Sequence, residues 1–181
     1  MKNTKNRAIF LDRDGTINVD YGYVHQIEKF KFIEGAVEGL KLLQEEGYFL
    51  IVITNQSGIA RGYYSVEEFK NISNYMQQML KKQGIIIKKT YYCPHLSDCK
   101  CRKPGLKLFY DAIAEFNIDL DHSFAIGDKI RDLSICNETN VRGFLLSEND
   151  KEETEKGKSL DHIKVVKNLY EAAKIIVQSE K

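Results

Sequence analysis

Apolar residues fall into short runs separated by longer stretches with a helical period. Five runs read as buried strands: RAIFL at 7 to 11, YFLIVIT at 48 to 54, IIIKKTYY at 85 to 92, SFAIGD at 123 to 128 and RGFLL at 142 to 146. Helical patterns lie between most of them. Ala36, Val37, Leu40 and Leu43 share one stripe, which Gly47 ends. Ser65 with Glu68 makes a capping-box pattern that opens a second helix reaching about residue 83, with Phe69, Ile72, Met76 and Leu80 inward. Further helices are expected over 106 to 117, 129 to 139 and 168 to 178. Strand alternating with helix predicts an α/β fold, a parallel sheet with helices on both faces, whose ligands lie beyond the C-terminal ends of the strands. The charged stretch 148 to 158 reads as a solvated surface loop. Its GKS at 157 to 159 is no phosphate-binding loop, because Glu152 stands where the first glycine belongs.

Composition narrows the class. The chain has 181 residues, 43% hydrophobic and 29% charged, which suits one domain with one core over 1 to 181. Twenty-seven basic against 26 acidic residues leave a net charge of +1, which points away from nucleic acid and acidic membranes as partners. Any bound anion must then be held by a local site. No apolar run is long enough for a signal-peptide core or a membrane span, so the expected setting is cytoplasmic and the N-x-[ST] matches at Asn55, Asn71 and Asn137 are chance. A monomer is expected, since no long apolar surface stripe remains once the core is assigned.

The strand ends carry the chemistry. Strand one runs into Asp12, Asp14, Gly15 and Thr16; strand two into Thr54, Asn55, Gln56, Ser57 and Gly58; strand three into a Cys/His loop followed by Arg102, Lys103 and Pro104; strand four into Gly127, Asp128, Lys129 and Asp132. Two carboxylates about 4 Å apart repel by roughly 4 kcal/mol at an effective dielectric near 20, so Asp12 and Asp14 call for compensation. Alone, D-x-D-G is compatible with an ordinary turn. A calcium loop fails, because Ile17 and Tyr23 occupy its glycine and glutamate positions. Four strand ends together offer carboxylates, cations, hydroxyls and glycines suited to a divalent metal and a phosphate.

CPHLSDCKC supplies Cys93, His95, Cys99 and Cys101, a set suited to tetrahedral Zn²⁺ at a closed, structural site within a loop insertion at 93 to 101. Buried inert thiols are the alternative, against which Asp98 and Lys100 argue. Cys136 reads as a core residue, and His25, His122 and His162 as solvated or capping residues.

DRDGT, TNQSG, RKP and GDKIRD resemble the four ordered motifs of the haloacid dehalogenase superfamily, covering residues 8 to about 146. With the cysteine loop and GIARG at 58 to 62, the closest resemblance is to the D-glycero-D-manno-heptose 1,7-bisphosphate phosphatases and the related histidinol-phosphate phosphatases. The resemblance implies a Rossmann-like fold. It also implies a Mg²⁺-dependent phosphomonoester hydrolase with Asp12 as nucleophile and Asp14 as acid and base. Asp12, the Asp14 carbonyl and Asp128 would hold Mg²⁺, while Thr54 and Lys103 stabilise the phosphoryl group and Asp132 orients its neighbours. Asp20, Tyr21, Gly22, Tyr23, Asn55, Gln56, Ser57, Arg102 and Lys129 are candidate contacts for a small phosphorylated substrate. Only a short loop and one helix fit between strands one and two, so no separate cap domain is expected. A non-catalytic, zinc-stabilised binding module on this fold is the alternative from another class.

Overall fold

A computed structural model describes residues 5 to 97, 99 to 146 and 150 to 179. Six parallel strands form one sheet in the order β3-β2-β1-β4-β5-β6. They are β1 (Ala8–Leu11), β2 (Phe49–Asn55), β3 (Ile87–Cys93), β4 (Phe124–Gly127), β5 (Arg142–Leu146) and β6 (Ile163–Val166). The α-helices are α1 (Ala36–Glu45), α2 (Val66–Lys82), α3 (Lys107–Phe116), α4 (Lys151–Lys158) and α5 (Leu169–Ser179).

Successive strand residues point to opposite faces, so the buried run of β1 feeds two cores. Ile9 and Leu11 join Leu40, Leu43, Met76, Leu80, Leu169 and Ile176 beneath α1, α2 and α5. Ala8 and Phe10 join Phe109, Ala112, Leu133, Ile135, Cys136 and Leu145 on the other face. Cys136 is thus a core residue, as expected. Helix α2 starts where its capping box places it: Glu68 N donates to Ser65 Oγ (3.1 Å) and Ser65 N to Glu68 Oε2 (2.7 Å).

Three segments depart from the sequence expectations. The stretch 148 to 158 is not simply a loop: residues 147 to 149 lie outside the described ones, but Lys151–Lys158 form α4. Asp150 caps it by accepting from Glu153 N, and Gly157 is buried against Leu145 and Val165. The segment expected as an α-helix over 129 to 139 is a 3-10 helix, Ile130–Asn137. Residues 132 to 136 are all buried, and only its ends, at Arg131 and Asn137, are exposed. Strand β6 was not foreseen, because four residues interrupted by exposed Lys164 give too short a pattern.

Strand order reverses about β1, whose neighbours are β2 and β4, and such a switch point opens a crevice at the strand ends. Between β1 and β2 the chain carries only a 3-10 turn, Ile27–Lys29, and α1, so nothing among the described residues caps that crevice. No helix among them is long and apolar enough to cross a membrane.

Leu40 is fully buried at the α1–α5 contact. Leu40→Ala is expected to lower unfolding free energy by about 2 to 5 kcal/mol, and Ser65→Ala by about 1 kcal/mol, both read as midpoint shifts in urea denaturation.

Candidate active site

The crevice holds a cavity of about 320 Å³. It is lined by Asp12, Asp14, Asp20, Gly22, Tyr23, Thr54, Asn55, Gln56, Ser57, Arg102, Asp128, Lys129 and Asp132, together with Arg61, Tyr64 and Arg131. The residues proposed from the sequence for catalysis, magnesium binding and substrate contact all line it except two. Lys103 lies beneath the lining, and Tyr21 borders a second cavity of about 590 Å³ with Tyr23, His25, Phe30 and Tyr63.

Lys103 organises the floor. The residue is 2% exposed, and its ammonium donates to Asp12 Oδ1 (2.8 Å) and to the Ile53 carbonyl (2.6 Å), and pairs with Asp132 Oδ1 at 2.8 Å. Three N–H groups meet three acceptors. Burial lowers its pKa, but Asp12 and Asp132 outweigh burial and hold Lys103 above the ordinary lysine value. The backbone of Lys103 is fixed as well. Its N–H donates to Asn55 Oδ1 (3.0 Å) and its carbonyl accepts from Asn55 Nδ2 (3.1 Å), so the Asn55 amide clasps the loop leaving the cysteines to the end of β2.

The carboxylates of Asp12, Asp128 and Asp132 place ligand oxygens within 4.8 Å of one another. Burial and neighbouring Asp132 and Asp14 raise Asp12 to about 7 against the pull of Lys103; burial, Asp132 and Asp12 raise Asp128 to about 8. This electrostatic strain is what a divalent cation relieves. Two glycines permit the approach. A Cβ on Gly15, whose φ is +81°, would lie 2.4 Å from Asp128 Oδ2, and one on Gly127 would lie 2.3 Å from Asp132 Cβ.

Asp14 stands apart from that cluster. Its carboxylate accepts from Arg13 Nη2 (2.9 Å), Asn18 Nδ2 (2.9 Å) and Gln56 Nε2 (3.0 Å). Gln56 also donates to Thr54 Oγ1 (2.9 Å) and accepts from the Tyr64 hydroxyl (2.6 Å), while His25 stacks on the Tyr64 ring at 4.9 Å. Arg13, Asn18 and Tyr64 were not singled out from the sequence. In an ideal strand Arg13 would face away from Asp12 and Asp14, yet its fully buried guanidinium curls back to Asp14 and packs 5.5 Å from the Phe69 ring centre.

The cysteine loop converges too. Sγ atoms of Cys93 and Cys99 lie 3.5 Å apart, those of Cys93 and Cys101 2.9 Å, and His95 Nδ1 is 3.3 Å from Cys101 Sγ. Tetrahedral zinc with bonds of about 2.3 Å to sulfur needs ligand separations of about 3.8 Å, so a small expansion admits the ion. Burial raises Cys93 to about 12, whereas at Cys99 burial is outweighed by the Arg102 N–H and the neighbouring thiols, giving about 6. Asp98, cited from the sequence against burial of this loop, lies outside the described residues.

A family model described as polynucleotide kinase 3 phosphatase matches residues 7 to 168. The D-glycero-beta-D-manno-heptose-1,7-bisphosphate 7-phosphatase of Pasteurella multocida (strain Pm70) is 44% identical over 160 residues, covering 84% of this chain and 87% of that protein. The chain belongs to the heptose-bisphosphate phosphatase family of the haloacid dehalogenase superfamily. A D-glycero-alpha-D-manno-heptose-1,7-bisphosphate 7-phosphatase from Campylobacter jejuni is 39% identical over 166 residues, 92% of this chain and 96% of that one. The crystal structure of D,D-heptose 1,7-bisphosphate phosphatase from B. bronchiseptica, complexed with magnesium and phosphate, aligns with a TM-score of 0.87 at 27% identity, covering 96% of this chain and 99% of that one.

Asp12 and Asp128 titrate above the ordinary carboxylate value in the folded chain, so each favours the folded state while protonated. That contribution is complete below about pH 4 and is lost as pH rises through about 7 to 8. Thermal unfolding of metal-free protein between pH 5 and 9 should show stability falling across this window. Asp128→Asn should flatten the fall.

Proposed function

We propose that this chain is a Mg²⁺-dependent phosphatase that removes the 7-phosphate from D-glycero-D-manno-heptose 1,7-bisphosphate. One observation carries the reading: Asp12 lies 2.8 Å from the Lys103 ammonium and within 4.8 Å of Asp128, at the switch point of the sheet. The names of the P. multocida and C. jejuni relatives support the sugar, and they differ in anomer.

The Asp12 carboxylate attacks phosphorus. The bond from phosphorus to the sugar oxygen breaks, and that oxygen takes a proton from Asp14, leaving an aspartyl phosphate. Asp14 then takes a proton from water, whose oxygen attacks phosphorus and releases inorganic phosphate with Asp12 restored. Lys103 balances charge on the phosphoryl oxygens, with Thr54 and the backbone N–H groups after β2 as further donors. Asp132 holds Lys103 at 2.8 Å and accepts from Lys129 N at 3.0 Å, a positioning role. Asp12, Asp128 and the Asp14 carbonyl are the proposed magnesium ligands, and the clustered carboxylates fit near-octahedral oxygen coordination. Bound magnesium supplies charge neutralisation on the phosphoryl oxygens.

Cys93, His95, Cys99 and Cys101 are proposed as a structural zinc site, worth on the order of 10 kcal/mol to the loop that delivers Arg102 and Lys103. Thiolate ligands need a reducing setting, which supports a cytoplasmic location. The balanced charge of +1 favours a small phosphorylated molecule over a polynucleotide or a membrane surface, and a monomeric single domain remains the proposed state.

Asp12→Asn is expected to abolish phosphate release from the heptose bisphosphate under added Mg²⁺; undiminished turnover would remove Asp12 from its role. Comparing kcat/KM for heptose bisphosphate and histidinol phosphate tests the substrate, since a higher value for the latter reverses the assignment. Metal analysis should find about one zinc per chain, lost or reduced in Cys99→Ser.

A further inference from the structure

Among the described residues, Arg61, Arg102, Lys129 and Arg131 line the cavity while Lys103 and Arg13 lie beneath it, and their commitments differ. Lys103 is saturated at the floor by Asp12, Asp132 and the Ile53 carbonyl. Lys129 is paired with Asp150 at 2.7 Å, and Arg102 is steadied by one N–H on the His95 carbonyl at 3.3 Å. Arg61 and Arg131 are exposed and line the same cavity, and neither guanidinium has a hydrogen bond or ion pair among the described residues.

Their places in the fold are complementary. Arg61 lies on the loop after β2, anchored by its N–H on the Ser57 carbonyl at 3.1 Å, and Arg131 on the 3-10 helix after β4. Strands β2 and β4 flank β1, whose end presents Asp12. The two arginines therefore lie on the segments that follow the strands on either side of the reacting carboxylate. A molecule with one phosphoryl group over Asp12 would have its far end in the same cavity, which both guanidinium-bearing residues line. A guanidinium matches a phosphate with paired N–H donors and keeps its charge at any working pH.

We propose that Arg61 and Arg131 form the subsite for the second phosphate of a bisphosphorylated sugar and so set a preference for bisphosphate over monophosphate esters. The inference rests on the phosphatase reading above and adds the residues that discriminate. Lys129 is a weaker candidate for this task, because its pairing with Asp150 already offsets part of its charge.

The test is kcat/KM with Mg²⁺ for D-glycero-D-manno-heptose 1,7-bisphosphate and for the corresponding 7-monophosphate. It is run on the wild-type chain, Arg61→Ala, Arg131→Ala, the double variant and the two lysine replacements. Wild type should prefer the bisphosphate. Each alanine variant should reduce the ratio of the two values at least tenfold, mainly through KM, with lysine restoring part of it. A double variant that keeps the wild-type ratio overturns the subsite, as does an equal loss on both esters, which marks a structural role. A wild-type chain indifferent to the second phosphate overturns the subsite and the bisphosphate substrate together.

Discussion

The site depends on one buried ion cluster. Lys103, Asp12 and Asp132 meet at 2.8 Å contacts where neither the cation nor Asp132 reaches water to any extent. Taking such charges out of water costs several kcal/mol each, and only saturated bonding offsets the cost. Removing Lys103 would leave Asp12 and Asp132 without the cation that bonds them both, beside a third carboxylate, Asp128. The geometry of the cluster is therefore held by mutual need, and the same need leaves Asp12 and Asp128 with raised proton affinity where a divalent cation would lower it.

Keeping Lys103 at that point takes two supports from distant parts of the chain. The Asn55 amide matches both backbone groups of Lys103, as a neighbouring strand would, and ties the loop to the end of β2. On the other side the loop emerges from the Cys93, His95, Cys99 and Cys101 cluster, whose ligand atoms already stand within 4.8 Å of one another. A loop without regular secondary structure would otherwise have too few contacts to hold a lysine on a buried carboxylate. Asn55 lines the cavity, yet its side chain is engaged in this support, which separates it from lining residues whose polar groups are free to meet a ligand.

Much of this was legible in the sequence, for identifiable reasons. Four of the six strands, β1, β2, β4 and β5, are mostly buried runs, β3 registers through its β-branched and aromatic residues despite exposed Lys88 and Lys89, and the Ser65 capping box marks its helix by local chemistry alone. The strand ends were legible because parallel sheets put their ligands there, which groups Asp12, Thr54, Lys103 and Asp128 by sequence position alone. What escaped depends on contacts that no local pattern encodes. Helix α4 has only Gly157 buried, so its charged sequence carries no apolar stripe, and β6 is a four-residue edge strand. Arg13 escaped because alternation turns it away from the site, whereas a curled side chain brings it back onto Asp14.

The polar groups divide the cavity into a fixed floor and an adaptable rim. On the floor, Asp14 accepts from Arg13, Asn18 and Gln56, Gln56 is itself held by Tyr64, and Lys103 has no unused donor. Groups so restrained are preorganised for a phosphoryl group, because little reorganisation remains when charge develops. At the rim, Tyr23 meets Tyr63 edge to face at 4.8 Å on exposed loops, and Lys129 forms an ion pair with Asp150, the residue that caps α4. Aromatic edges and replaceable ion pairs can accept differently shaped leaving groups over an unchanged floor. Since no cap domain lies between β1 and β2, this rim is where the fold can distinguish one phosphate ester from another.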